Sequence, residues 1–179
     1  MKTLREIYNS YKHLPVCDKG TTHSYIEKYE EILAPYRDRP ITLVEIGVES
    51  GGSLAMWAEY FANPLSRIIG IDIADRRKID LSADARISFI PGDGAKSETV
   101  KGIDFVDIVI DDANHTLEDQ TASFNVFFPK MRKGGLYVIE DILSDSNRVE
   151  LMKIHPFKVT DLRHMKQCYC DILMIATKN

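Results

Sequence analysis

An apolar run that breaks into a glycine turn and restarts as a helix constrains this chain most. Leu43-Val44-Glu45-Ile46 has the character of a buried parallel strand. Gly47-Val48-Glu49-Ser50-Gly51-Gly52 breaks it, and Ser53 to Phe61 resumes at helical spacing. A strand, a glycine turn and a helix N-terminus together let backbone approach a ligand closely. Free N–H groups and the positive end of the helix dipole then face that ligand. A second apolar run, Ile68-Ile69-Gly70-Ile71, ends in Asp72. An acid at the tip of the second strand is placed to accept hydrogen bonds from a ribose diol.

The remaining pattern alternates strand and helix. Strands are predicted at Thr42–Gly47, Arg67–Ile73, Arg86–Pro91, Val106–Asp111, Gly135–Asp141, Phe157–Asp161 and Tyr169–Ala176. Helices are predicted at Ser53–Phe61, Lys96–Lys101 (weakly patterned), Thr116–Phe128 and Asp145–Met152. Ahead of them, Lys2–Lys12 reads as an amphipathic helix that Leu14-Pro15 breaks, and Tyr25–Leu33 as another. Alternation of this kind gives an α/β fold, a Rossmann-like doubly wound sheet. The short Leu162–Cys168 connection implies a hairpin, so the sheet is mostly parallel with one antiparallel C-terminal strand, the layout of a class I methyltransferase. The expected organisation is one domain over residues 1–179, with a helical cap and covering loop in 1–40 and the core in 41–179.

Composition narrows the partners. The net charge of −4 argues against a nucleic-acid footprint. No apolar run reaches the roughly 20 residues of a membrane span. The mixed-charge start lacks a signal-peptide core. Three cysteines make a disulfide framework unexpected, and reduced thiols in a cytoplasmic protein are expected instead. Cys168 and Cys170 would share one face of a strand, and no zinc-type spacing surrounds them.

The glycine turn is not the dinucleotide pattern. Glu45 precedes Gly47, and Ser50-Gly51-Gly52-Ser53 follows. A pyrophosphate gains nothing from the Glu45 carboxylate, whereas a sulfonium or ammonium centre does, which favours S-adenosylmethionine over NAD. Asp93, after the third strand, stands where such folds contact adenine, although a turn aspartate would read the same way. Further on, one strand ends in Asp111-Asp112-Ala113-Asn114-His115 and the next in Glu140-Asp141. One crossover separates them, so four carboxylates and an imidazole should meet at the C-terminal rim. Acids that close repel unless something positive lies between them. Oxygen donors of this kind suit Mg²⁺, and His115 then serves as general base.

These segments, with Asp18-Lys19-Gly20-Thr21-Thr22-His23-Ser24-Tyr25, resemble the metal-dependent sugar O-methyltransferases. That family includes macrolide-sugar enzymes of the mycinamicin and tylosin type, and rhamnosyl O-methyltransferase and cephalosporin-hydroxylase-like proteins. The resemblance runs from about Asp18 to Asp141. It implies Asp112, Glu140 and Asp141 as Mg²⁺ ligands and His115 as the base. It implies that Glu45, Gly47, Ser50, Gly51 and Ser53 hold the methionine part of the cofactor, Asp72 the ribose, and Asp93 and Asp111 the rest of its pocket. Lys19, Thr22, His23 and Tyr25 would close over the cofactor or a neighbouring subunit's site, with Thr22 or Ser24 capping the helix that follows. The family's usual Asp-Gly-Ser-His is here Asp112-Ala113-Asn114-His115, and the macrolide enzymes' N-terminal domain has no counterpart in these residues. The implied substrate is a small sugar-containing molecule, and a homo-oligomer is expected. A catechol-type acceptor, a non-catalytic cofactor-binding module and an NAD oxidoreductase remain the competing readings. His13, His155 and His164 read as surface or packing residues, Trp57 as helix core, and Arg76-Arg77-Lys78 as a solvated face or a contact for a nucleotide-sugar diphosphate.

Overall fold

The computed structural model describes residues 1–11 and 17–179. The end of the first expected helix, its Leu14-Pro15 break and His13 lie outside the described residues. Seven strands form one sheet: β1 (Thr42–Ile46), β2 (Arg67–Asp72), β3 (Ile87–Pro91), β4 (Val106–Asp111), β5 (Met131–Ile139), β6 (Lys158–Asp161) and β7 (Ile172–Thr177). Their order is β3-β2-β1-β4-β5-β7-β6. The strands from β3 to β5 pair in parallel, and β7 lies antiparallel between β5 and β6. The chain reverses its direction of travel across the sheet between β3 and β4. A crevice therefore opens between the tips of β1 and β4, where open α/β sheets take their ligands.

Side-chain alternation divides the core. Leu43, Ile68, Ile108, Ile110, Leu136 and Val138 pack toward helices α1 (Leu4–Ser10), α2 (Ile26–Leu33) and α3 (Gly52–Tyr60). Val44, Ile69, Val109, Tyr137 and Ile139 face α4 (Leu117–Phe127) and α5 (Asp145–Ile154). Parallel strands covered on both faces read as continuous apolar runs, which is why β1, β2 and β4 were legible. Helix α3 is buried along nearly its whole length, Trp57 completely, because the sheet lies under it and α1 and α2 over it. Thr3 and Glu6 form a capping box on α1, while Thr116 and Ser144 cap α4 and α5.

Several expectations are corrected. Residues 96–101 form turns rather than a helix: Gly94 and Gly102 bracket a segment with few apolar side chains to bury. Strand β5 begins at Met131 instead of Gly135, running through Lys133-Gly134. The hairpin connection carries a short helix, α6 (Arg163–Lys166), and β7 begins at Ile172, so Tyr169 and Cys170 belong to a turn. Neither Thr22 nor Ser24 caps α2, whose N-cap is Tyr25 without a side-chain bond. The Ser24 N–H donates instead to the Asp171 carboxylate. No helix among the described residues is long and apolar enough to cross a membrane.

Candidate active site

A cavity of about 400 Å³ occupies the crevice. The β1–α3 turn forms one wall, with Gly47, Val48, Glu49, Ser50, Gly52 and Ser53. Gly47 has φ +88°, and a Cβ there would lie 2.1 Å from the Asp112 carbonyl oxygen. Only glycine allows the two strand ends this approach. Gly51, at φ +86°, turns the chain into α3. Asp72 closes the turn, its Oδ2 accepting the N–H groups of Val48 (2.9 Å) and Glu49 (3.1 Å). A carboxylate has about four acceptor positions, so Asp72 retains capacity toward the cavity it lines. Asp93 lines the opposite side, its Oδ1 accepting the Ala95 N–H at 2.8 Å.

The β4 and β5 tips supply the third wall. Asp112, His115 and Asp141 line the cavity, and one donor atom from each lies within 4.8 Å of the others. His115 Nε2 is 3.6 Å from Asp141 Oδ2, while its Nδ1 is buried with no hydrogen-bond partner. His115 (φ +61°) and Asp141 (φ +55°) both adopt left-handed backbone conformations. Such strain outside glycine persists where the surroundings over-determine it, and it concentrates at functional sites. Burial raises the Asp141 carboxyl above its ordinary value, against the Tyr25 hydroxyl, which donates to Oδ1 at 2.5 Å.

The other predicted residues have different surroundings. Glu45 is fully buried and does not line the cavity. Its carboxylate accepts from Ser53 Oγ (2.6 Å) and Trp57 Nε1 (3.1 Å), tying β1 to α3. Glu140 is buried too, and its Oε1 accepts from the Tyr29 hydroxyl and lies 2.8 Å from Lys19 Nζ. Lys19, 1% exposed, stands among Asp112 Oδ2 (2.5 Å), Glu140 Oε1 (2.8 Å) and Glu45 Oε1 (3.6 Å). Burial pulls its pKa down, but the three carboxylates outweigh that and hold it well above an ordinary lysine. Part of the positive charge expected among the acids is thus an ammonium from the N-terminal loop. Strand parity carried the signal: Glu45, Asp112 and Glu140 continue the Leu43, Ile108–Ile110 and Leu136–Val138 rows, which face α1–α3. The loop that crosses that face brings the lysine.

His23 and Tyr25, both buried, reach the site from behind. His23 Nδ1 lies 3.2 Å from Asp141 Oδ1 and Nε2 3.4 Å from Asp18 Oδ2. Burial opposes its protonation, yet the Asp18 hydrogen bond and the Asp141 charge raise its pKa to about 9. Thr22 is exposed, and Thr22, His23, Tyr25 and Gly51 are not among the cavity's lining residues. Lys166 Nζ pins this loop by donating to the carbonyls of Gly20 (2.7 Å), Thr21 (3.0 Å) and His23 (2.6 Å). Asp111 points into the α4 side, accepting from the Tyr137 hydroxyl at 3.1 Å, and burial raises its pKa to about 7. Arg76 lines the cavity, whereas Arg77 is engaged with Asp75 and the Phe89 ring. His155 packs among Phe124, Phe128 and Phe157. Cys17 and Asp18 also line the cavity, which the sequence did not reveal.

Known proteins resemble this chain in sequence and fold. A family described as a methyltransferase domain matches residues 44–142. The 8-demethyl-8-alpha-L-rhamnosyl tetracenomycin-C 2'-O-methyltransferase of Streptomyces olivaceus is 38% identical over 136 residues, covering 70% of this chain and 35% of that protein. The mycinamicin VI 2''-O-methyltransferase of Micromonospora griseorubida is 37% identical over 134 residues, covering 69% of this chain and 32% of its own length. The chain thus spans about a third of the length of these curated relatives. Among solved structures, the MycE methyltransferase of mycinamycin biosynthesis, bound to Mg, S-adenosylhomocysteine and mycinamycin VI, superposes with a TM-score of 0.66 at 35% identity, over 78% of this chain and 37% of that one. A second MycE crystal form with Mg and S-adenosylhomocysteine gives a TM-score of 0.74 at 27% identity, over 99% of this chain and 54% of that one. The matched segment runs from the glycine strand through the acids after β5, and on that basis the chain belongs to this methyltransferase-domain family.

Proposed function

We propose that this chain carries the catalytic centre of an S-adenosylmethionine- and Mg²⁺-dependent O-methyltransferase. Its acceptor would be a sugar hydroxyl of a glycoside, nucleotide sugar or glycosylated natural product. The observation that carries the proposal is the convergence of Asp112, His115 and Asp141 on the wall of the cavity that the glycine turn, Asp72 and Asp93 also line. The family and the sugar-modifying relatives support it.

The residues suit both groups. The Gly47–Ser53 turn on the cavity wall, closed against the Asp112 backbone where a Cβ at Gly47 would collide, suits the methionine part of the cofactor, and the Asp72 and Asp93 carboxylates suit its ribose and base. Glu45 would act through Ser53 and Trp57, setting where α3 begins. Carboxylate oxygens from Asp112 and Asp141, beside His115, form a hard donor set appropriate to Mg²⁺. Asp112 has one oxygen committed to Lys19, leaving the second toward the cavity, whereas Glu140, expected as a ligand, is sealed beneath Tyr29 and Lys19 and would contribute charge through the lysine instead. When bound, the sulfonium supplies the methyl group and the cation lowers the acceptor hydroxyl's pKa.

The chain's own residues do the rest. His115, which lines the cavity, accepts the proton from the acceptor hydroxyl. Asp141, 3.6 Å from Nε2, orients the ring and stabilises its positive charge after transfer. Tyr25 and His23 hold Asp141 in place. Cavity walls that hold acceptor oxygen and methyl group in line would supply a large share of the acceleration in such a displacement. A labelled-methyl assay over a panel of glycosides and catechols, with and without EDTA, tests the proposal. Metal-dependent transfer to a glycoside is expected; transfer that persists in EDTA, or that is confined to catechols, overturns it.

A further inference from the structure

The turn ahead of β7 brings two thiols onto the back of the N-terminal loop. Cys168 Sγ lies 3.5 Å from Cys170 Sγ and 3.9 Å from His23 Nδ1. One donor atom from each of the three falls within 4.8 Å of the other two. A tetrahedral zinc site, with Zn–S near 2.3 Å and Zn–N near 2.0–2.1 Å, has S···S edges of about 3.8 Å and S···N edges of about 3.5 Å. The observed separations are within a few tenths of an ångström of those edges. His23 Nε2 meanwhile faces Asp18 Oδ2 at 3.4 Å, the carboxylate–imidazole pairing that fixes a metal-bound histidine. Asp171, fully buried, places Oδ1 3.4 Å from the same Nδ1.

We propose that His23, Cys168 and Cys170 form a binding site for a thiophilic divalent cation of the zinc type, separate from the oxygen-lined cation site in the cavity. Asp171 is the buried carboxylate nearest to supply a fourth donor. Two sulfur donors discriminate against Mg²⁺, which favours oxygen, so each site selects its own ion. Binding exchanges protons for metal: each thiol and the imidazole Nδ1 release theirs to solvent, and no electron is transferred. The ion would join the β7 turn to the loop that carries Lys19. It would also draw His23 from Asp141 toward the sulfurs.

The test uses the full chain, reduced, stripped with chelator and titrated with Co²⁺ in excess Mg²⁺. A sulfur-to-cobalt charge-transfer band that saturates at one equivalent is expected. It should vanish in the Cys168→Ser/Cys170→Ser double variant and persist in Cys17→Ser and in Asp112→Asn. Absence of the band in the unaltered chain, its survival in the double variant, or its loss in either control overturns the proposal. Should circular dichroism find the double variant unfolded, Cys168→Ser alone decides, since that position is half-buried and in a turn. At least roughly tenfold weaker Co²⁺ binding is expected there, and unchanged affinity overturns the site.

Discussion

Glu45 and Glu140 on one side, and Asp72, Asp112 and Asp141 on the other, all terminate neighbouring parallel strands, yet they do opposite things. The first pair is sealed under α2 and α3, satisfied by Ser53, Trp57, Tyr29 and the Lys19 ammonium. The second group faces the cavity with acceptor capacity left over. The difference is set by what lies opposite each side chain. Where the N-terminal loop covers the rim, an internal lysine neutralises the acids and the rim becomes structure. Where it stops, at Asp112, the same chemistry faces a cavity. Asp112 belongs to both groups, in contact with Lys19 and exposed to the cavity, so the loop and the proposed cation share a ligand.

That contrast can be broken at its joint. Lys19→Met leaves buried carboxylates without a counter-charge, and breaking a buried pair this way costs about 3–5 kcal/mol. Chemical denaturation should register the loss, and stability within 1 kcal/mol of the unaltered chain would mean the lysine is not the acids' counter-ion. On the open side, His115→Ala is expected to lower turnover by roughly 10²–10⁴-fold while S-adenosylhomocysteine affinity, read by calorimetry, stays the same. A smaller effect is expected at Asp72→Ala. Losing a charged acceptor worth about 1.5–3 kcal/mol should weaken S-adenosylhomocysteine binding roughly ten- to a hundredfold, and unchanged binding would detach the ribose from this acid.

The smallest effect sharpens the contrast with the α4 face. Asp111 has a folded-state pKa raised by burial to about 7, against about 3.9 for an unfolded aspartate. Its stabilising contribution is therefore complete below about pH 4 and is lost as pH rises toward 7. Asp111→Asn should flatten that part of a plot of melting temperature against pH. An unaltered slope would mean that other groups set it.

The strands that were easy to read are those covered on both faces, because β1, β2 and β4 are mostly apolar runs that end in an acid or run into a glycine. Asp72, Asp112, His115 and Asp141 were legible for a related reason: strand tips in such a sheet point at one crevice. The environment of Glu45 was not. Its position before the glycine turn suggested a ligand contact, but alternation along β1 sends its side chain under α3, and only parity with Leu43 records that. The roles of Lys19, His23 and Tyr25 were hidden more deeply. They depend on a loop docking across the sheet, held by Lys166 and Asp171 from the far end of the sequence, and local patterning does not encode such long-range pairings.

The late position of β7 in the sequence and its interior position in the sheet, between β5 and β6, bear on assembly. Strand β6 pairs with β7, and among the described strands β7 is what joins it to β5. Until β7 arrives, β5 presents an unsatisfied edge and β6 has nothing to dock on, so closure waits on a distant segment, a slow and aggregation-exposed step. Chaperone demand during synthesis should peak in that interval, and substitutions that weaken β7 should reduce yield of folded protein before they alter anything at the crevice.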